Sequence, residues 1–197
     1  MNVLYTVRCR FTRPSFEDAW NEWYVGHIRV LLSVPGFVSA QRFHCSSTVD
    51  DRPYLAMYEV AGPEVFTSDP YRAIWGFDEW RPSIDNWTRD ISTARGPGAI
   101  NFATPTNARL WAGFVSGRDA CVDAALDGLS TNRPFVQTVT VTGLDRSCTA
   151  IAWEVLGDPG DPGPAALAGT GIQIAQAVYT PLTECLAPTA ASRGDRG

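Results

Sequence analysis

Lysine is absent from this 197-residue chain: all sixteen basic residues are arginine, set against 21 acidic ones, for a net charge of −5. The arginine-only usage reads as coding bias. With no basic cluster, the chain lacks the concentrated positive face that a phosphate backbone requires, so nucleic acid is not an expected partner. Histidine is scarce, at two residues, and the five cysteines (Cys9, Cys45, Cys121, Cys148, Cys185) are dispersed without a CxxC pair. That argues against a metal site and for small buried hydrophobes in a reducing compartment. No apolar run approaches the ~18 residues that span a bilayer, and no signal-peptide pattern opens the chain, so a cytoplasmic location without membrane contact is expected. There is no Walker loop, HExxH or nucleophile elbow, and Gly169-Thr170-Gly171 lacks the third glycine of a dinucleotide motif.

What the chain does hold is aromatic. Six of its seven tryptophans fall within the first 111 residues. They suit stacking on a flat ligand, and equally suit large-residue packing beneath long loops.

Periodicity predicts the elements. Residues 3–11 alternate as a strand, and Ser15 followed by Asp18 has the spacing of a capping box. The helix it opens carries Phe16, Trp20, Trp23, Tyr24, His27 or Ile28, and Leu31 as one stripe, and Pro35-Gly36 stops it. Strands follow at 37–45 and 54–60, then a tryptophan-rich helical stretch within 63–91 that Pro82 interrupts. The second half predicts a strand at 109–115, a helix at 118–129, strands at 135–142 and 148–156, helical turns at 165–169 and a last strand at 172–179.

The order strand, helix, strand, strand thus occurs twice. Tyr58-Glu59-Val60 overlays Trp153-Glu154-Val155, and Phe37-Val38 matches Phe135-Val136. The expected architecture is α+β: two ferredoxin-like βαββα(β) repeats whose antiparallel sheets form an α/β barrel. The repeats span 1–104 and 105–187, with a disordered tail at 188–197.

The segment Trp20-Asn-Glu-Trp23-Tyr24-Val-Gly-His27, the exit Pro35-Gly36-Phe37, the strand Gln41-Arg42-Phe43 and the strand Tyr54-Leu-Ala-Met-Tyr58-Glu59-Val60 resemble the dimeric α/β-barrel superfamily. The nearest flavour is its EthD-like and antibiotic-biosynthesis-monooxygenase-like group, here as a tandem fusion. The resemblance covers about residues 1–75 and is only architectural beyond 107. It implies a barrel that normally closes across a homodimer, and chemistry ranging over cyclases, isomerases, lyases, monooxygenases and haem enzymes, so it does not name the reaction.

His27 lies on the helix stripe, where an imidazole suits acid/base catalysis; a core histidine held by one hydrogen bond is the competing reading. Arg42 and His44 share a strand face. If that face lines the barrel, Arg42 can grip an enolate, and otherwise it is a surface charge. Tyr58, on a face with Tyr54, can donate to an oxyanion or simply pack. Glu59 needs a cation, for which Arg8, Arg10 and Arg42 are the candidates. The expectation is a cofactor-independent enzyme using proton transfer for cyclisation, isomerisation or lyase chemistry on an apolar oxygenated molecule. His27, Tyr58 and Arg42 would be catalytic, with Trp20, Trp23, Tyr24, His44, Tyr54, Glu59 and Trp75 around the substrate. No metal or other cofactor is called for, although a haem ligand through His27 alone stays conceivable. A cofactor-independent monooxygenase of phenols or hydroquinones, and a non-catalytic protein binding a small hydrophobic ligand, are the rivals.

Overall fold

The computed structural model describes residues 2–46, 50–158, 160–165 and 171–189. Its first half runs β1 (Val3–Phe11), α1 (Glu17–Leu32), β2 (Phe37–His44), β3 (Tyr54–Val60), the single turn α2 (Asp69–Arg72) and β4 (Ile84–Ala94). The second runs β5 (Arg109–Gly117), α3 (Asp119–Asn132), β6 (Gln137–Leu144), β7 (Ala150–Leu156) and β8 (Ile172–Pro181).

All strand pairings are antiparallel and close a barrel in the order β1-β3-β2-β8-β5-β7-β6-β4. Each half contributes four neighbours in the same internal order. The halves join through β4 with β6, from Asp90↔Leu144 to Ala94↔Val139, and through a short contact of β2 with β8 at Phe43↔Pro181 and His44↔Thr180. The barrel therefore closes within one chain.

Closure buries both faces of a strand, and side chains alternate between them. On β1, Leu4 joins a lumen cluster with Phe43, Met57, Phe114, Ile151 and Trp153, drawn from both halves. Its odd-numbered residues Val3, Tyr5, Val7, Cys9 and Phe11 point outward to pack under α1 with Tyr54, Ala56, Tyr58 and Val60 of β3. In the second half Trp111 and Val115 lie outward with Val122 and Leu126 of α3.

Three expectations are corrected. The capping box does not form: Pro14–Phe16 is a 3-10 turn, and α1 starts at Glu17 with Phe16 as its uncapped N-cap. The expected helical stretch reduces to two 3-10 turns (Pro63–Thr67 and Asp78–Ser83) and α2. From Ile84 onward it is strand β4, where Ile84, Thr88, Ile91 and Thr93 supply the β-branched side chains a strand favours. The repeat overlay is one residue out of register. Val60 pairs with Val3 and Leu156 with Arg109, each the last residue of its strand against the first of another, so Tyr58 corresponds to Glu154. A slip of one turns each side chain to the opposite face. The helical turns expected at 165–169 fall mostly, and the tail expected from 188 largely, outside the described residues. Among the described residues, no helix is long and apolar enough to cross a membrane.

Gly36, at φ +103, ends the exit from α1, and a Cβ built there would collide with Val65 Cγ2. Gly128 in α3 has nothing within 4 Å of that position. Gly36→Ala should therefore lose about 2 kcal/mol in urea denaturation, whereas Gly128→Ala should gain about 0.5–1 kcal/mol.

Candidate functional site

The outward face of the first half does not pack solid. Between it and α1 lies a cleft floored by Tyr5 and Val7 of β1, Tyr58 of β3, and Trp87 and Arg89 of β4. Tyr24, His27 and Leu31 of α1 form one wall, and Tyr71, Trp75, Gly76 and Phe77 the other. The space between the side chains is narrow, with about 20 Å³ that admits the centre of a water molecule. That is room for about one water. Of its walls, the one bearing Trp75 is the most open at its rim. Trp75 is 45% exposed, and Gly76 beside it takes φ +119 with open space where a Cβ would be.

His27 stacks on Trp23, with ring centroids 4.8 Å apart and planes 11° from parallel, and meets the edge of Tyr24. Burial lowers its pKa to about 4, against the opposing pull of the Asp78 carboxylate. At neutral pH it is thus an uncharged imidazole, desolvated at the mouth of an aromatic cleft. Around it, burial pushes the Tyr5, Tyr24, Tyr58 and Tyr71 hydroxyls upward, so all four stay protonated donors. The Tyr5 and Tyr71 hydroxyls lie 3.4 Å apart. The buried Tyr58 hydroxyl is turned toward that of Tyr24, which lowers the Tyr24 pKa and raises its own, although the contact falls short of full hydrogen-bond geometry. Arg89 supplies the positive charge: its guanidinium carbon lies 4.8 Å from the ring centroids of both Trp75 and Trp87. Its Nε is buried without a partner among the described residues.

Of the residues predicted from sequence, His27, Tyr58, Tyr24 and Trp75 meet in this cleft, and Trp23 backs His27. The others do not reach it. Arg42 does not face the lumen or solvent; it is buried under α1, 4.1–4.9 Å from the ring centroids of Trp20, Tyr24 and Tyr54. Its Nη1 donates to Asn21 Oδ1 at 2.7 Å. Trp20 stacks on Phe11, and Tyr54 donates to Glu17, with His44 against its ring. Glu59 takes none of the expected arginines. It accepts from Asn2 and Ser39 instead, because Arg8 pairs with Asp50 and Arg10 with Asp51 and Asp85. Sequence reasoning missed Tyr5, Tyr71, Phe77, Trp87 and Arg89. The last two were hidden by reading β4 as helix, although Trp87 and Arg89 stand two apart, the spacing of one strand face. Among the described residues no cluster of His, Cys, Asp and Glu could hold a metal ion.

No protein-family model matches the chain, and neither does any curated protein sequence. Solved structures do match. An anthrone oxidase-like protein aligns over 96% of this chain and 94% of its own, with a TM-score of 0.59 and 10% identity. A candidate monooxygenase from Fusobacterium nucleatum aligns over 95% and 96%, with a TM-score of 0.56 and 12% identity. A mutant chlorite dismutase from Candidatus Nitrospira defluvii aligns over 91% of both chains, with a TM-score of 0.54 and 6% identity. At such identities the likeness establishes the ferredoxin-like α+β barrel fold and nothing finer.

The depressed pKa of His27 has a consequence for stability. The unfolded chain binds a proton near pH 6.5 and the folded one only near 4, so stability from this group is complete above 6.5. It is lost as pH falls between those values, by at most about 3 kcal/mol. His27→Gln should flatten that part of the profile relative to the unmodified chain, as read by urea melts from pH 4 to 7.

Proposed function

We propose that the chain is an enzyme that abstracts a proton from a flat, oxygenated, enolisable aromatic molecule, without a cofactor. The observation that carries this reading is a single cleft lined by the His27 imidazole, the Arg89 guanidinium and the hydroxyls of Tyr5, Tyr24, Tyr58 and Tyr71. His27 accepts the proton from carbon, and the charge left on the substrate oxygen meets Arg89, whose buried Nε–H has no acceptor among the described residues, with the Tyr58 hydroxyl beside it. A positioned base is worth ~10²–10⁴-fold in rate, and each oxyanion donor ~10²–10³-fold. The new imidazolium lies within the field of Asp78, which eases its formation. Trp23, Trp75 and Trp87 offer faces for a planar ring system. Arg42, turned into its own aromatic cage, takes no part in the chemistry and instead anchors α1.

The enolate so formed has two fates. Cyclisation, isomerisation or loss of a leaving group follows from proton transfer alone. The second, oxygenation, is favoured by two of the neighbours, an anthrone oxidase-like protein and a candidate monooxygenase. For an anthrone the balance is one O₂ consumed per quinone formed, with one water released. The same reading takes the chain as a tandem fusion of two EthD-like units, 1–104 and 105–187. Its support is the repeated strand order and a barrel closed without a second copy.

Anthrone itself is the first substrate to try. Deuterium exchange at its acidic methylene should be accelerated, and His27→Gln should lower that acceleration by about 10²–10⁴ while the fold is kept. An oxygen electrode separates the fates, since uptake equal to quinone formed marks the oxidase. Exchange no faster than buffer, with the ligand bound and released unchanged, would instead mark a binding protein.

A further inference from the structure

The cleft belongs to the first half by every residue that lines it, yet its only lining cation is held from the second. The turn between β6 and β7 places Asp145 between two residues in the left-handed region, Leu144 at φ 59 and Arg146 at φ 49. The Asp145 backbone N–H donates to the Arg89 carbonyl at 2.9 Å, and the Arg89 N–H donates to Asp145 Oδ2 at 2.7 Å. These two bonds latch the turn onto β4 and fix the carboxylate whatever the arginine side chain does. The other oxygen, Oδ1, then lies 3.6 Å from Arg89 Nη2.

We infer that Asp145 is a positioning residue that holds Arg89 over the cleft, and that the composite site selects flat aromatic molecules carrying an ionised oxygen. The inference rests on the cleft being the substrate site. Asp145 does not itself line the cleft; it touches the lining at Arg89, and its charge also bears on the Tyr71 hydroxyl, which Arg89 meets. Its own side chain is 36% exposed, against 20% for Arg89, so solvent screens its repulsion of a bound anion more than it loosens the latch. One end of the guanidinium is engaged by the carboxylate, its face lies over two indoles, and Nε–H is left without a protein acceptor among the described residues. A carboxylate or enolate oxygen of the ligand is the acceptor that buried donor lacks.

The test uses the full chain and two probes, anthraquinone-2-carboxylate and its uncharged carboxamide, followed by quenching of tryptophan emission. The unmodified protein should prefer the carboxylate, and Arg89→Gln should abolish the preference. Asp145→Asn keeps the acceptor for the Arg89 N–H, and so the turn, but should lower the preference about tenfold. It should add no further loss in the Arg89→Gln background. Thermal melting separates this from a turn that no longer folds. Tighter carboxylate binding in Asp145→Asn would overturn the inference, since Asp145 would then merely neutralise Arg89; so would additive losses in the double variant. If neither probe binds the unmodified chain, the cleft reading itself falls. The near-ultraviolet circular dichroism of Trp75 and Trp87 still decides the positioning claim. Asp145→Asn must reproduce the change caused by Arg89→Gln, and an unaltered spectrum rejects it.

Discussion

The seating of α1, and with it the position of His27, depends on the buried Arg42 guanidinium, which pairs with no carboxylate among the described residues. Arg42 is 1% exposed, and its one side-chain hydrogen bond among the described residues is to a neutral amide, Asn21 Oδ1. A buried charge of this kind is costly unless something answers it. Here the answer is three aromatic faces, Trp20 and Tyr24 from α1 and Tyr54 from β3, at 4.1–4.9 Å. Cation–π contacts gain strength when desolvated, to about 2 kcal/mol or more each. The cage therefore rivets the helix to the sheet at its N-terminal half. It also fixes the rotation of α1 about its axis, because Trp20 and Tyr24 must both point down.

That rotation decides where His27 goes. With Trp20, Tyr24, Ile28, Leu31 and Leu32 forming the buried stripe, Trp23 and His27 are carried to its flank. The imidazole is consequently neither in the core nor in water: it stacks on Trp23 and opens onto the space where the helix and sheet diverge. Deeper burial would leave no route for a substrate, and full exposure would remove the desolvation that keeps the ring uncharged. The cleft exists because the arginine cage grips one end of the helix while the loop bearing Trp75, Gly76 and Phe77 covers the other.

How much of this was legible in the sequence depends on which periodicity had to be read. The stripe of α1 was clear, since large residues at three- and four-residue intervals align on one side of a helix and would scatter over both faces of a strand. It brought His27, Tyr24 and Trp23 together correctly. Strand faces were harder. Both faces of β2 and β3 are largely buried, so the apolar–polar alternation that usually tells in from out is missing there, and Arg42 and Tyr58 share a face without sharing a cavity. Tyr24 stands between them, a fact set by packing and not by spacing. Arg89 was lost to a wrong element. Three tryptophans and a proline within 75–87 resemble a broken helix, and the β-branched residues that mark β4 begin only at Ile84. Asp145 had no local signature, because its role arises only when the β6–β7 turn of one half meets β4 of the other.

The correct register of the two halves also explains why one of them lacks the cleft's chemistry. In the first, Tyr5 and Tyr58 sit opposite one another across β1 and β3; in the second, the paired positions across β5 and β7 hold Trp111 and Glu154. An indole fills more volume than a phenol, and this one is 1% exposed. The loop above packs so closely that a Cβ on Gly163 would lie 2.6 Å from the Trp111 ring. Glu154 is taken by Arg133, 2.8 Å away at the end of α3, and that arginine also binds Asp161 of the same loop. Where the first half leaves a gap lined by phenols and a guanidinium, the second fills the corresponding place with a ring and pairs its glutamate with Arg133. On the proposed reading the two halves divide the labour, the first lining the cleft and the second, through a single turn, holding its arginine in place.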